Sequence, residues 1–335
     1  MVTPMLLFVG TAAFAIEATV DVTLPAEAQQ LGLDEAVLEA ELAGAIGEQL
    51  HVVDLGAYLD QMADANVLSA KGMGVDYGSD MQRFAFGAAF GTAVSGAGAA
   101  LDGGTADGTG LPETGFALQI GGMAGLNLGA FSEKDSALRR FKLYVNGMSA
   151  ETDRAPFAAT FLNYGGHVQI KVVKGGDKTD GVRWGGLDFT GGYEYSSYTL
   201  SLTESMPVSQ SGMTWNATGT YELSAEAQSV PVELSTNLHV FVATVYCGVG
   251  FDYNLSGGAN TSISVGGPIT MEFDGQTADV GSATLTLSDS GEVSPWTPRA
   301  FAGVQADIFM VKLYGQVNVT LDESVGGHVG VRVVL

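Results

Sequence analysis

The stretch RFAFGAAFGTAVSG, Arg83 to Gly96, decides the fold. Its even positions (Phe84, Phe86, Ala88, Phe90, Thr92, Val94) are mostly greasy. Its odd positions (Arg83, Ala85, Gly87, Ala89, Gly91, Ala93, Ser95) are tiny or polar. Alternation over this length specifies a β-strand, because successive side chains point to opposite faces. In a soluble sandwich the outward face would carry charges and Thr. A face of Gly, Ala and Ser suits a crowded interior instead. The Phe-rich face suits hydrocarbon, and a membrane-crossing strand needs only about 9–11 residues.

Composition agrees. The chain has 335 residues, 46% hydrophobic and only 15% charged, with 47 Gly; soluble domains run near 25% charged. No apolar run reaches the roughly 18 residues of a membrane helix. A spanning chain without such runs must close its sheet into a barrel, since lipid cannot satisfy a sheet edge. The net charge of −23 excludes nucleic acid as a partner, which rewards basic surfaces. The single Cys247 allows no intramolecular disulfide and no zinc spacing.

Three regions follow. MLLFVGTAAFA, Met5 to Ala15, ends in Ala-Phe-Ala and reads as a signal peptide over residues 1–15, although its start, MVTP, lacks Lys and Arg. Residues 16–80 form an acidic helical segment. Leu33, Val37, Leu38, Leu42 and Ile46 recur at helical spacing among Asp34, Glu35, Glu39, Glu41 and Glu48; Leu55, Tyr58, Leu59, Met62, Val67 and Leu68 make a second piece. Residues 81–335 are the barrel.

The expected fold is all-β, a transmembrane antiparallel up-and-down barrel with an N-terminal helical segment. Ten strands are read at about 83–95, 115–129, 139–148, 166–174, 182–202, 233–242, 245–256, 299–308, 311–321 and 326–335. Segments 213–227, 261–273 and 281–288 also look strand-like, as hairpins outside the membrane or as further membrane strands. Ten is therefore a floor, and twelve to fourteen fit the pattern. Connections after the first, third, fifth and seventh strands are long, and those after even strands are short. That asymmetry marks an outer-membrane barrel with short periplasmic turns. The even count predicts both chain ends on the periplasmic side.

The last strand, His328-Val-Gly330-Val-Arg-Val333-Val-Leu335, resembles the C-terminal signal by which bacterial outer-membrane barrels are recognised for insertion. His328, Gly330, Val333 and Leu335 stand at its pattern positions, with Leu where many members end in Phe or Trp. Over about residues 83–335 the chain resembles bacterial outer-membrane β-barrel proteins. Its layout is loosely similar to that of the long-chain fatty-acid transporter family, which also holds an N-terminal segment in the barrel; that family's N-terminal motif has no match here. The resemblance implies a bacterial outer-membrane location, with lipid and the barrel-insertion machinery as partners.

With the more apolar face of each strand set against lipid, the lumen receives Arg83, Gln119, Asn127, Arg140, Lys142, Lys171, Asp188, Glu194, His239, Asp252, Lys312, Gln316 and Arg332. A charge on the lipid face would cost about 2–4 kcal/mol at the midplane, so inward placement follows whatever the function. The acidic segment over 31–70 is expected to sit inside or against the periplasmic mouth, drawn by these cations. Catalysis is not expected: His51, His167, His239 and His328 are the four histidines, and none adjoins a nucleophile motif. The loop Asp102-Gly-Gly-Thr-Ala-Asp107-Gly-Thr-Gly offers two carboxylates where calcium takes about six to eight oxygens, so no metal or cofactor is assigned. Trp184, Tyr193, Tyr195, Tyr198, Trp215, Tyr253 and Trp296 are read in part as interfacial aromatics. The functional expectation is a passive channel or transporter for small, hydrophobic-leaning solutes. The alternative is a structural or assembly-associated barrel whose long loops or helices bind another envelope protein.

Overall fold

The structure, a computed structural model, describes residues 19–26, 29, 34–37, 39–40, 55–96, 114–132, 136–177, 180–210, 213–273 and 276–335. The signal-peptide reading, most of the first helical piece and the Asp102–Gly110 loop lie outside them. In chain order the elements are β1 (Thr19–Thr23), α1 (Leu55–Ala70), β2 (Phe84–Ser95), β3 (Gly115–Asn127), β4 (Phe141–Arg154), β5 (Phe157–Lys174) and β6 (Val182–Gln210). Then come β7 (Met213–Val240), β8 (Ala243–Phe273), β9 (Gln276–Glu292), β10 (Trp296–Ile308), β11 (Val311–Thr320) and β12 (Val325–Val334).

All strand neighbours are antiparallel. Running through β2 to β8 and on through β10, β11 and β12, the sheet closes where β12 pairs β2, from Val325↔Val94 to Val334↔Ala85. Twelve strands less β1 and β9 leave ten in the closed ring, which are the ten read from the sequence. The seam is finished by backbone: Arg83 N–H donates to the Leu335 carbonyl, and Leu335 N–H to that of Phe84, both at 2.8 Å.

The opening stretch behaves as its alternation requires. Ala85, Ala89, Ala93 and Ser95 are buried inside, while Phe86 (51% exposed) and Phe90 (43%) face out. The same outward set continues around the ring with Leu118, Ile120, Val145, Val168, Phe189, Leu234, Val249, Val304, Val317 and Val329. A soluble monomer rarely exposes an apolar patch beyond a few hundred Å²; a belt encircling a closed barrel is a lipid-facing surface.

The three strand-like segments left open by the sequence are hairpins. β8 changes partner partway: Ala243–Tyr253 pairs β10 in the ring, and Gly258–Phe273 pairs β9 beyond it. The connections read as long loops are largely ladder. β7 has 28 residues against 10 in β11, and the extra 18 project the sheet by about 60 Å at roughly 3.3 Å per residue along the strand. This projection owns a core of Trp215, Ile269, Val280, Leu285 and Leu287, closed by Val22 and Leu24. Trp215 is thus a core residue, its Nε1 donating to the Gly267 carbonyl at 3.2 Å; Tyr198 is likewise buried against α1.

The expected position of the N-terminal end falls on residues 1–18, outside the described residues, but the first described strand departs from it. Leu335 lies at the short-turn end of the ring, but β1 pairs β9 on the projecting sheet, from Thr19↔Thr286 to Thr23↔Ser282. Strand parity fixes where β2 starts and β12 ends. It carries no information about the path of the residues before β2, and that path runs through the barrel.

Candidate functional site

α1 enters the ring from the projecting end. Its sequence, LGAYLDQMADANVLSA, is rich in small residues, and Leu59, Met62, Ala63, Ala65, Asn66, Val67, Leu68 and Ser69 are all buried. A helix buried all round needs a wall on every side; β2, β3, β6, β7, β8, β9 and β12 supply it. Only glycine allows the approach. A methyl group on Gly115 would overlap the Gln61 backbone, one on Gly291 that of Asp60, and one on Gly91 the Ser69 carbonyl. The small face of the opening stretch is therefore the helix's bed.

Below Ala70 the chain continues through residues 71–82 to the opposite mouth. The contacts mark a steady descent. At the top, Ser95 Oγ donates to Gln61 Oε1 at 2.6 Å, and the Asp64 carboxylate accepts from Ser294 N–H (2.8 Å) and Oγ (2.7 Å). Further in, Gln119 Nε2 donates to Asn66 Oδ1 at 3.0 Å. At the bottom Asn127 Nδ2 donates to the Met81 carbonyl at 2.8 Å, and Asp80 pairs with Arg183.

Two ion-pair clusters hold this segment midway. Lys71 Nζ, 1% exposed, reaches Glu194 at 2.7 Å, Ser229 Oγ at 2.7 Å and Asp252 at 3.3 Å. Asp252 also accepts from Arg299 Nε at 2.8 Å, and Arg299 pairs with Glu233. Glu233 in turn accepts from the Tyr77 hydroxyl at 2.6 Å. Three wall carboxylates thus meet two cations, with His167 Nε2 3.6 Å from Glu194. In the second cluster Arg332 donates to Asp76 Oδ1 at 2.9 Å and to the Val75 carbonyl at 2.7 Å, its guanidinium 3.6 Å from the Tyr314 ring centroid. Buried charges persist only when paired and hydrogen-bonded, and both clusters join the segment to the wall, through Lys71 and Tyr77 in the first and Asp76 in the second.

Of the lumen candidates, Lys142, Asp188, Glu194, Asp252 and Arg332 are buried inside. Glu194, Asp252 and Arg332 bind the threaded segment directly, and Lys142 Nζ donates to the Ser79 carbonyl at 3.4 Å. Lys171 pairs with Asp188 at 3.0 Å within the wall. His239 and Lys312 line the short-turn mouth, Lys312 3.2 Å from Asp307. Arg83 and Arg140 are not lumenal: both are exposed at strand entries on the rim. Of the insertion-signal residues, His328 is buried edge-on to Tyr314 with ring centroids 5.8 Å apart, Gly330 lies under Tyr314, and Val333 and Leu335 face outward.

The described carboxylates of residues 31–70 take other partners than the expected cations, while Glu41, Glu48 and Asp54 lie outside the described residues. Asp60 and Asp64 of α1 accept from backbone and hydroxyl groups near Glu292–Ser294, not from basic side chains. Asp34 lies with Glu35 and Glu39 outside the ring, near β1; the carboxylates of Glu35 and Glu39 accept from Leu24 N–H at 2.9 Å and Val22 N–H at 3.3 Å. Beyond α1, residues 71–82 bring charges of both signs to the wall: Lys71 to Glu194 and Asp252, Asp76 to Arg332, and Asp80 to Arg183. Sequence reasoning missed Lys71, Asp76, Tyr77, Glu233 and Arg299. Arg299 was recoverable, since it shares parity with the inward Phe301, Gly303 and Gln305.

Among the described residues, two cavities lie at the short-turn mouth. One, about 280 Å³, is bounded by Asp80, Arg183, His239, Asp307 and Lys312; the other, about 180 Å³, by Asp80, Asn127, Arg139, Lys142 and Lys171. Asp80 and Gln82 border both.

No curated protein matches the chain. Among solved structures, the transport unit of the autotransporter AIDA-I from Escherichia coli is 12% identical, covering 80% of this chain and 96% of that one, with a TM-score of 0.32. The translocator domain of the autotransporter NalP from Neisseria meningitidis is 12% identical over 88% and 97%, TM-score 0.31. The toluene transporter TbuX of Ralstonia pickettii is 8% identical over 82% and 93%, TM-score 0.28. Likeness at these scores bears on none of the chemistry above. The family is shown by sequence: residues 15–335 match the Lsa36-like model, and the chain belongs to the Lsa36-like family.

Proposed function

We propose that the protein is a bacterial outer-membrane conduit closed at rest by its own N-terminal segment. One observation carries this: polar side chains and paired charges line much of the wall beneath the segment, beside apolar contacts such as Met73 on Ala89 and Tyr314 and Tyr77 on Tyr246 and Phe301. Gln119, Asn163, Gln169, Thr190, Ser229, Asn237 and Asn318 line the wall beneath the segment, and paired charges hold it. An interior that water can rehydrate is a passage that can be vacated; a fused apolar core is not. The lining favours polar cargo over the hydrophobic-leaning solutes of the initial expectation, and the reading assigns no catalytic role. Removing residues 19–81 and recording in a planar bilayer tests it. The expected result is a large steady conductance from a variant that keeps heat-modifiable gel migration, against a closed full-length chain. A folded variant without conductance would overturn the reading.

A second reading has its own support. The projecting sheet has its own hydrophobic core, so it is a folded body and not a set of loose loops. The barrel would then anchor this body for docking another envelope protein.

A further inference from the structure

The path of the chain sets a sidedness problem. β2 begins at the mouth where Leu335 ends, Arg83 N–H bonding the Leu335 carbonyl. β1 lies on the projecting sheet at the other end, paired to β9. Residues 55–82 join the two ends through the lumen, not along the lipid face: Leu59, Ala63 and Lys71 are 0–1% exposed and enclosed by seven ring or projecting strands. The ring ladder is continuous around all ten strands. A segment synthesised ahead of β2 reaches the far end only by passing through the interior.

Composition agrees with that route. From Ile16 to Ala70 the chain carries acidic residues and no Lys or Arg, so an unaided crossing of hydrocarbon is prohibitive. The wall met on the way is polar, and its glycines at 91, 115 and 291 leave room for a backbone. Short turns belong on the periplasmic side. The end away from Leu335 carries the long extensions of β6, β7, β8 and β9, and long excursions belong on the outer side, so β1, paired to β9 there, lies outside.

We propose that the conduit's cargo is polypeptide: the barrel passes its own N-terminal segment outward and displays β1 on the cell surface. This rests on the conduit reading and names its substrate class. The test uses full-length chain in a Cys247→Ala background on intact cells, with a membrane-impermeant maleimide. Asp21→Cys, exposed on β1, and Asp177→Cys, exposed on the short-turn side, are compared, with Thr19→Cys as a second β1 position and heat-modifiable migration as the folding check. The expected result is labelling of Asp21→Cys and Thr19→Cys on intact cells, and of Asp177→Cys only after the outer membrane is permeabilised. Equal labelling of both sides, or the reverse order, in folded variants overturns the proposal. Sidedness is read here without any current. A display failure with conductance retained in the chain lacking residues 19–81 would sink this proposal alone; loss of that conductance would sink the conduit reading.

Discussion

Lys71→Met removes the one cation that the threaded segment contributes to the acidic wall. The side chains are of similar length, so the cavity is filled and the effect is electrostatic. Asp252 keeps Arg299 at 2.8 Å, but Glu194 keeps only His167 at 3.6 Å. Stranding one partner of a buried pair costs about 3–5 kcal/mol. That cost falls on the closed state alone, because a vacated lumen hydrates Glu194. At about 1.4 kcal/mol per tenfold, the open fraction should rise by roughly 10² to several times 10³-fold. Single-channel recording reads this directly as open probability. A companion Lys71→Met, Glu194→Gln variant removes the stranded charge and should restore most of the closed state. Unchanged open probability in folded Lys71→Met would show that the Lys71 cluster does not hold the segment, and the reasoning from buried pairs would fail.

Gly91→Leu puts a side chain where the Ser69 carbonyl lies; the barrel should fold with α1 displaced, giving raised conductance and new protease cleavage in residues 55–82. Phe86→Arg sets a charge against hydrocarbon at about 2–4 kcal/mol and should reduce insertion, whereas Ala89→Gly, on the inner face beside Met73 and Tyr314, should insert normally; heat-modifiable migration compares them. Trp215→Ala should cost about 3–5 kcal/mol in the projecting sheet alone, exposing residues 213–292 to protease while the ring keeps its gel shift.

The ring was legible because lipid imposes a rule that every strand must obey. β2 shows it in Phe86 and Phe90 against Ala89 and Ala93, and β11 in Val317 and Val319 against Gln316 and Asn318. The projection was only half legible. β7 and β8 keep alternating past the bilayer, and alternation does not say where lipid ends. The lumen was the least legible part. Its struts join residues far apart in the chain, such as Lys71 with Glu194, 123 positions away, and Arg332 with Val75, 257 away, and no local pattern encodes such pairs. The 71–82 stretch, KGMGVDYGSDMQ, has neither helical nor strand period because it fills a space that other residues shape. Its abundance of Gly beside Lys71, Asp76 and Tyr77 was the available signal: small spacers around buried polar groups.

The path of residues 55–82 through the closed ring is the central claim, and a crystal structure of the detergent-solubilised full-length chain tests it most directly. The expected density runs unbroken down the lumen from Leu59 to Met81, with Lys71 between Glu194 and Asp252 and Asp76 on Arg332. A ten-stranded ring with a water-filled lumen, and Lys71 outside it, would contradict the claim.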